Sequence, residues 1–136
     1  MAAIINEQLS EQFNVEQNKI VVIDGLTFAE LRFANMMRER EWDPDNVLTL
    51  EFKGNELGGE CGEAQNIIKK LARARLGIPA TMEDLAKELA DVVICADLIA
   101  MAIGADLGKA VREKFNASSD KLELAARIRN EASSRA

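Results

Sequence analysis

The chain contains only two prolines, Pro44 and Pro79, and the proline-free segments on either side of Pro79 carry apolar residues at helical spacing. Proline removes a backbone donor and clashes with the preceding turn, so these positions fix where long helices must stop. The segment from Val47–Thr49 to about Leu76 reads as one helix, ended by Gly77 and Pro79. Thr81 with Asp84 caps the next, which carries "EDLAKELADVVICADLIAMAI" up to Gly104. Upstream, Thr27 followed by Glu30 opens a helix through Phe28, Leu31, Phe33, Ala34 and Met37 to about Arg40, before "EWDPDN" turns the chain. Asp106 caps a fourth, short helix to about Phe115, and Ser118 or Ser119 opens a polar C-terminal segment that is helical by pattern. "KIVVID" (Lys19–Asp24) suits a short strand or an extended arm.

The expected fold is an all-α bundle of four or five helices. Residues 1–26 form an N-terminal arm, 27–117 the helical domain and 118–136 a C-terminal tail. At 136 residues one domain is expected, and 48% apolar against 4% aromatic residues with no Tyr favours helix over sheet. No apolar run reaches the roughly 18–20 residues that cross a bilayer, and the N-terminus lacks a secretory layout, so the expectation is a cytoplasmic protein with no membrane partner. A net charge of -6 argues against a nucleic-acid partner. The absence of His excludes Ser-His and Cys-His nucleophile pairs and the commoner zinc sites. Cys61 and Cys95 lack metal or redox spacing and read as small core residues.

Chemistry enters with "ELGGECGE", Glu56 to Glu63. At about 100° per residue, Glu56, Glu60 and Glu63 fall within roughly 60° of one another, on the side of Ile67 and Leu71. Gly58, Gly59 and Gly62 form a neighbouring stripe with no side chain to obstruct a helix or a ligand. On the next helix Asp84, Glu88 and Asp91 lie along the edge of the Leu85, Leu89, Val92, Ala96 and Ile99 face. Each interior glycine costs about 0.8–1 kcal/mol relative to Ala. Each like-charge i,i+4 pair costs about 0.2–0.5 kcal/mol more. A solvated acidic face needs no glycines and a structural core needs no acids, so the combination points to a site. Carboxylates converging from two antiparallel helices suit Mg²⁺ or Mn²⁺, which gives an acidic protein a route to an anionic substrate. An EF-hand starting at "DPDN" fails, because Leu48 stands where the loop needs Gly and Gly54 where it needs Glu.

On these residues the sequence resembles the all-α nucleoside triphosphate pyrophosphohydrolases, the MazG-like group related to the dimeric dUTPases and dCTP pyrophosphatases. That pattern is E-x-x-E, with a further Glu a turn earlier, then E-x-x-D on a second helix. Here they are Glu60-Cys-Gly-Glu63 with Glu56 upstream, and Glu88-Leu-Ala-Asp91. "IIKK" and "VREKFNASS" follow in the matching order, so the similarity covers about residues 30–120. It departs from the stricter E-E-x-x-E form at Gly59.

The resemblance implies that Glu60, Glu63, Glu88 and Asp91 hold Mg²⁺, with Glu56 as a further ligand or as the base orienting water, and Glu60 shared between binding and catalysis. The implied reaction is attack of that water on the α-phosphorus of a nucleoside triphosphate, giving the monophosphate and pyrophosphate. It also raises Lys114 and Asn116 as triphosphate contacts. Lys70, two turns beyond Glu63, can reach a phosphate or pair with an acid, and Trp42 can stack on a base or anchor packing. The alternatives are a non-catalytic helical interaction protein with an acidic or structural metal site, and a metal phosphohydrolase acting on another diphosphate. More apolar stripe than one small bundle hides suggests a homo-oligomer, and the resemblance implies a homodimer or homotetramer.

Overall fold

The computed structural model describes residues 25–129, and the regular secondary structure among them is helical, with no strand. The expectation for Lys19–Asp24 and that for the last seven residues lie outside them. Four α-helices run Phe28–Trp42 (α1), Leu50–Ala72 (α2), Met82–Ala102 (α3) and Leu107–Lys121 (α4), and a 3-10 turn, Ala74–Leu76, follows α2. The all-α class expected from composition and periodicity is the observed one. No helix among the described residues is long and apolar enough to cross a membrane.

The caps show why the elements begin and end where they do. The Thr27 side chain accepts from the Glu30 amide at 3.2 Å while the Glu30 carboxylate accepts from the Thr27 amide at 2.7 Å. Thr81 and Asp84 repeat this reciprocal arrangement at α3, and Asp106 accepts from the Lys109 amide at 2.9 Å at α4. Each cap satisfies donors that the first turn leaves without partners. After Ala72 the chain tightens into the 3-10 turn, and Gly77 closes it in the left-handed region at φ 75°, which glycine adopts without steric penalty. Between α1 and α2 the buried Asp43 takes over from the helix ladder: its two carboxylate oxygens accept from the Val47 and Leu48 amides at 2.8 and 2.9 Å.

Two sequence expectations are corrected here. The fourth helix does not stop near Phe115 but runs through Ser118 and Ser119 to Lys121, because Ser118 returns its hydroxyl to the Lys114 carbonyl at 2.9 Å and Ser119 is buried. The segment after it is not helical over residues 122–129. It is held by side chains: the Asn116 amide donates to the Ile128 carbonyl at 3.0 Å and its oxygen accepts from the Ile128 amide at 2.9 Å, while Arg127 pairs with Asp120.

By internal contacts the chain divides into two compact units. Among the described residues, one comprises Glu51–Cys95 and the other Leu26–Leu50 with the chain from Ala96 onward, so α3 begins in the first and ends in the second. In the second unit α1 lies against α4 where Gly108 meets Phe28; a Cβ at Gly108 would stand 3.3 Å from the Phe28 side chain. The same unit holds a polar chain that the sequence reading did not anticipate. Asp97, 1% exposed, pairs with Arg32 at 2.9 Å and accepts from the Asn35 amide at 3.0 Å. Arg32 also donates to the Ala105 carbonyl at 3.0 Å.

Removing one partner of a buried ion pair leaves the other charge without compensation, whereas an exposed pair contributes little. Asp97→Ala is therefore expected to lower the unfolding free energy by about 3–5 kcal/mol in a urea titration. Lys87→Ala, which breaks only the exposed i,i+4 pair with Glu83, is expected to lower it by no more than about 0.5 kcal/mol. Equal effects would show that Asp97 does not anchor its unit.

Candidate metal centre

The inward stripe of α2 is set by its 3.6-residue period. Lys53 and Ala64 are buried, and Leu57, Glu60, Ile67, Lys70 and Leu71 are half-buried. Glu60 thus stands on the stripe itself, while Glu56 and Glu63, one turn either side and rotated away, are exposed. On α3 Glu88 is likewise half-buried and Asp91 exposed at the edge. One carboxylate oxygen from each of Glu60, Glu88 and Asp91 lies within 4.8 Å of the others. These three come from two helices of one unit, and each reaches the cluster from a regular helical position.

The electrostatics are those of acids held together. Partial desolvation raises the Glu60 carboxyl above its ordinary value of 4.5, and the charges of Asp91, Glu63 and Glu56 push the same way. Glu88 is also raised, first by desolvation, then by the charge of Glu63 and a hydrogen bond shared with it, and then by Asp91 and Glu60. Each acid makes the ionised form of its neighbours less favourable.

Glu63 lies outside the trio, but its charge acts on both Glu88 and Glu60, and that of Glu56 acts on Glu60. Asp84, which the spacing placed with the acids, is engaged otherwise. The Thr81 hydroxyl and amide donate to its carboxylate at 2.7 and 2.9 Å and hold its pKa down. The Lys70 charge acts on Asp84 as well, which places that lysine by the α3 cap. Trp42, Lys114 and Asn116 belong to the other unit. Trp42 ends α1 with 78% of its surface exposed, and it is not among the residues lining the cleft of about 470 Å³ at Met36, Arg40, Asp43 and Met101. Lys114 is exposed, and Asn116 is engaged with Ile128. Cys61 is exposed rather than a core residue, because its position faces away from the α2 stripe; Cys95 is half-buried.

The glycine stripe is open. A Cβ built at Gly58, Gly59 or Gly62 meets nothing within 4 Å, so no packed neighbour among the described residues requires these glycines. No model of a known protein family matches the chain, and neither a curated protein nor a solved structure shows significant similarity to it.

The donor set fits a hard divalent cation: clustered carboxylate oxygens, no imidazole or thiolate in the trio, and enough exposure to leave room for water. The Glu60 and Glu88 carboxyls are raised in the folded metal-free protein, so the stability these two groups contribute is lost as pH rises above 4.5 and through their higher folded-state values. Mg²⁺ is accordingly expected to raise the melting temperature more at pH 8 than at pH 5. Glu60→Gln is expected to raise the metal-free melting temperature at pH 8 and to abolish the Mg²⁺ response. An Mg²⁺ response untouched by Glu60→Gln would place the ion elsewhere. Gly59→Ala tests the open stripe separately: with nothing to obstruct the methyl, it is expected to stabilise the metal-free protein by about 0.8–1 kcal/mol in a urea titration.

Proposed function

We propose that the protein is a nucleotide pyrophosphohydrolase dependent on Mg²⁺, or Mn²⁺ in its place, cleaving an NTP or dNTP to the nucleoside monophosphate and pyrophosphate. The observation that carries this reading is the meeting of Glu60, Glu88 and Asp91 from α2 and α3 within 4.8 Å. Its order along the chain, E-x-x-E before E-x-x-D, gives the MazG-like resemblance its weight.

In this reading Glu60, Glu88 and Asp91 would hold the ion, which when bound neutralises the triphosphate and makes a coordinated water more acidic. Glu63, whose charge acts on Glu88, would be a further ligand. Glu56, exposed one turn before Glu60, would be a further ligand or the base that takes a proton from the attacking water. Hydrolysis breaks the bond between the α-phosphorus and its bridging oxygen, water oxygen remains on the monophosphate, and pyrophosphate leaves. Lys70, on α2 in the same unit as the trio, is the proposed substrate contact of this unit, and Lys114, Trp42 and Asn116 are proposed from the sequence alone.

A cytoplasmic homodimer or homotetramer completes the proposal. On α3 the outer stripe Met82, Ala86, Leu89 and Val93 is exposed, and on α1 Phe33 is 62% exposed. Such surface is what a second copy would cover. The same exposure favours the alternative, a non-catalytic helical interaction protein with a structural metal site.

Incubation with a panel of NTPs and dNTPs plus Mg²⁺, scored for pyrophosphate and monophosphate, separates the two. Activity is expected to fall in Glu60→Gln and Glu88→Gln by more than the roughly 10–100-fold typical of losing an outer-shell partner. Mg²⁺ binding with no turnover of any nucleotide would establish the alternative. A single species of monomer mass in light scattering at micromolar concentration would remove the oligomer.

A further inference from the structure

The buried polar chain of α1 ends outside the core, and it is this outward end that suggests a ligand. Asp97, at 1% exposure, accepts from Arg32 Nε at 3.0 Å on Oδ1 and from the Asn35 amide nitrogen at 3.0 Å on Oδ2. With its nitrogen fixed on the carboxylate, the Asn35 amide, 2% exposed, must turn its oxygen the other way. That oxygen accepts from Arg38 Nη2 at 3.2 Å. Arg38 itself is exposed, and among the described residues the rest of its guanidinium has no protein partner. Arg32, its side chain 29% exposed, engages Nε and Nη2 and likewise leaves Nη1 without one.

An Arg–Asp pair and a buried amide hold α1 to the end of α3, and the buried Asn35 oxygen needs one donor, which Arg38 supplies with a single N–H. That one bond orders a long, exposed arginine against its side-chain entropy and leaves its other N–H groups outward. The chain joins two guanidiniums through one buried carboxylate and one buried amide, so its four residues carry a net charge of one positive unit. Planar forks fixed in advance match phosphate oxygens and lose less freedom on binding than mobile lysines.

We propose that the Arg32–Asp97–Asn35–Arg38 chain is a receptor for a phosphate-type oxyanion, with Arg38 as the contacting group and Asn35 and Asp97 as its positioning residues. It uses none of the residues assigned to the acidic cluster, so it stands or falls independently of the pyrophosphohydrolase reading. The phosphate can be free or carried on a nucleoside.

The test is isothermal titration of the full chain with inorganic pyrophosphate and, separately, with dATP. Both titrations contain EDTA, so that no ion mediates binding at the carboxylates. Arg38→Gln is expected to weaken binding about tenfold, the equivalent of one charge-assisted hydrogen bond, with an unchanged melting temperature. Arg38→Lys, which keeps the charge and loses the fork, is expected to fall between. Arg38-dependent binding of pyrophosphate supports a free anion, and Arg38-dependent binding of dATP alone supports a phosphate carried on a nucleoside. No binding of either probe by the unmodified protein, or equal affinities in Arg38→Gln, overturns the proposal.

Discussion

A carboxylate with 1% of its surface exposed is the constraint around which the second unit is organised. Asp97 cannot be left ionised and alone in a place that water does not reach, so the surrounding chain must supply donors. It does so from α1, through Arg32 and Asn35, and those donors dictate which face of α1 turns inward. Arg32 then extends the requirement to the loop after α3 by donating to Ala105. One acid thereby fixes the rotation of one helix and the course of a loop. In exchange for specificity of this kind, the unit has few fully buried apolar side chains: Ala100 is buried, and the larger apolar residues are partly or fully exposed.

The first unit carries the opposite electrostatic problem. Glu60 and Glu88 are partly withdrawn from water with further acids beside them, and both effects push these two carboxyls up. A buried acid with an arginine is a structural solution, whereas half-buried acids without one leave a demand that a cation can meet. This contrast between Asp97 and the Glu60, Glu88 and Asp91 trio is the physical reason for reading the first as an anchor and the second as a binding site.

Helix identity was legible because it rests on local rules. Capping boxes at Thr27 and Thr81, the Asp106 cap, and Gly77 before Pro79 are short-range chemistry, and they lie where the spacing places them. The α4 terminus was not legible, since Ser118 and Ser119 are common helix openers and only a tertiary environment that buries Ser119 keeps the helix going past them. Within the acidic stretch the period placed Glu56, Glu60 and Glu63 on one side, but it could not divide the half-buried Glu60 from its exposed flanks. Asp84 satisfied two patterns at once, cap and cluster, and the nearer hydrogen bonds to Thr81 prevailed. Asp97 left a signal that was there to be read: one acid inside the apolar run "VVICADLIAMAI", with Arg32 and Asn35 three residues apart on another helix.

The Asn116 clamp treats Ile128 as backbone only, since the amide reads one N–H and one C=O and takes nothing from the isoleucine side chain. Attachment of the segment after α4 is therefore largely indifferent to what amino acid occupies position 128. Any residue other than proline keeps the N–H and C=O that the clamp reads, whereas proline, having no N–H to offer, would open it.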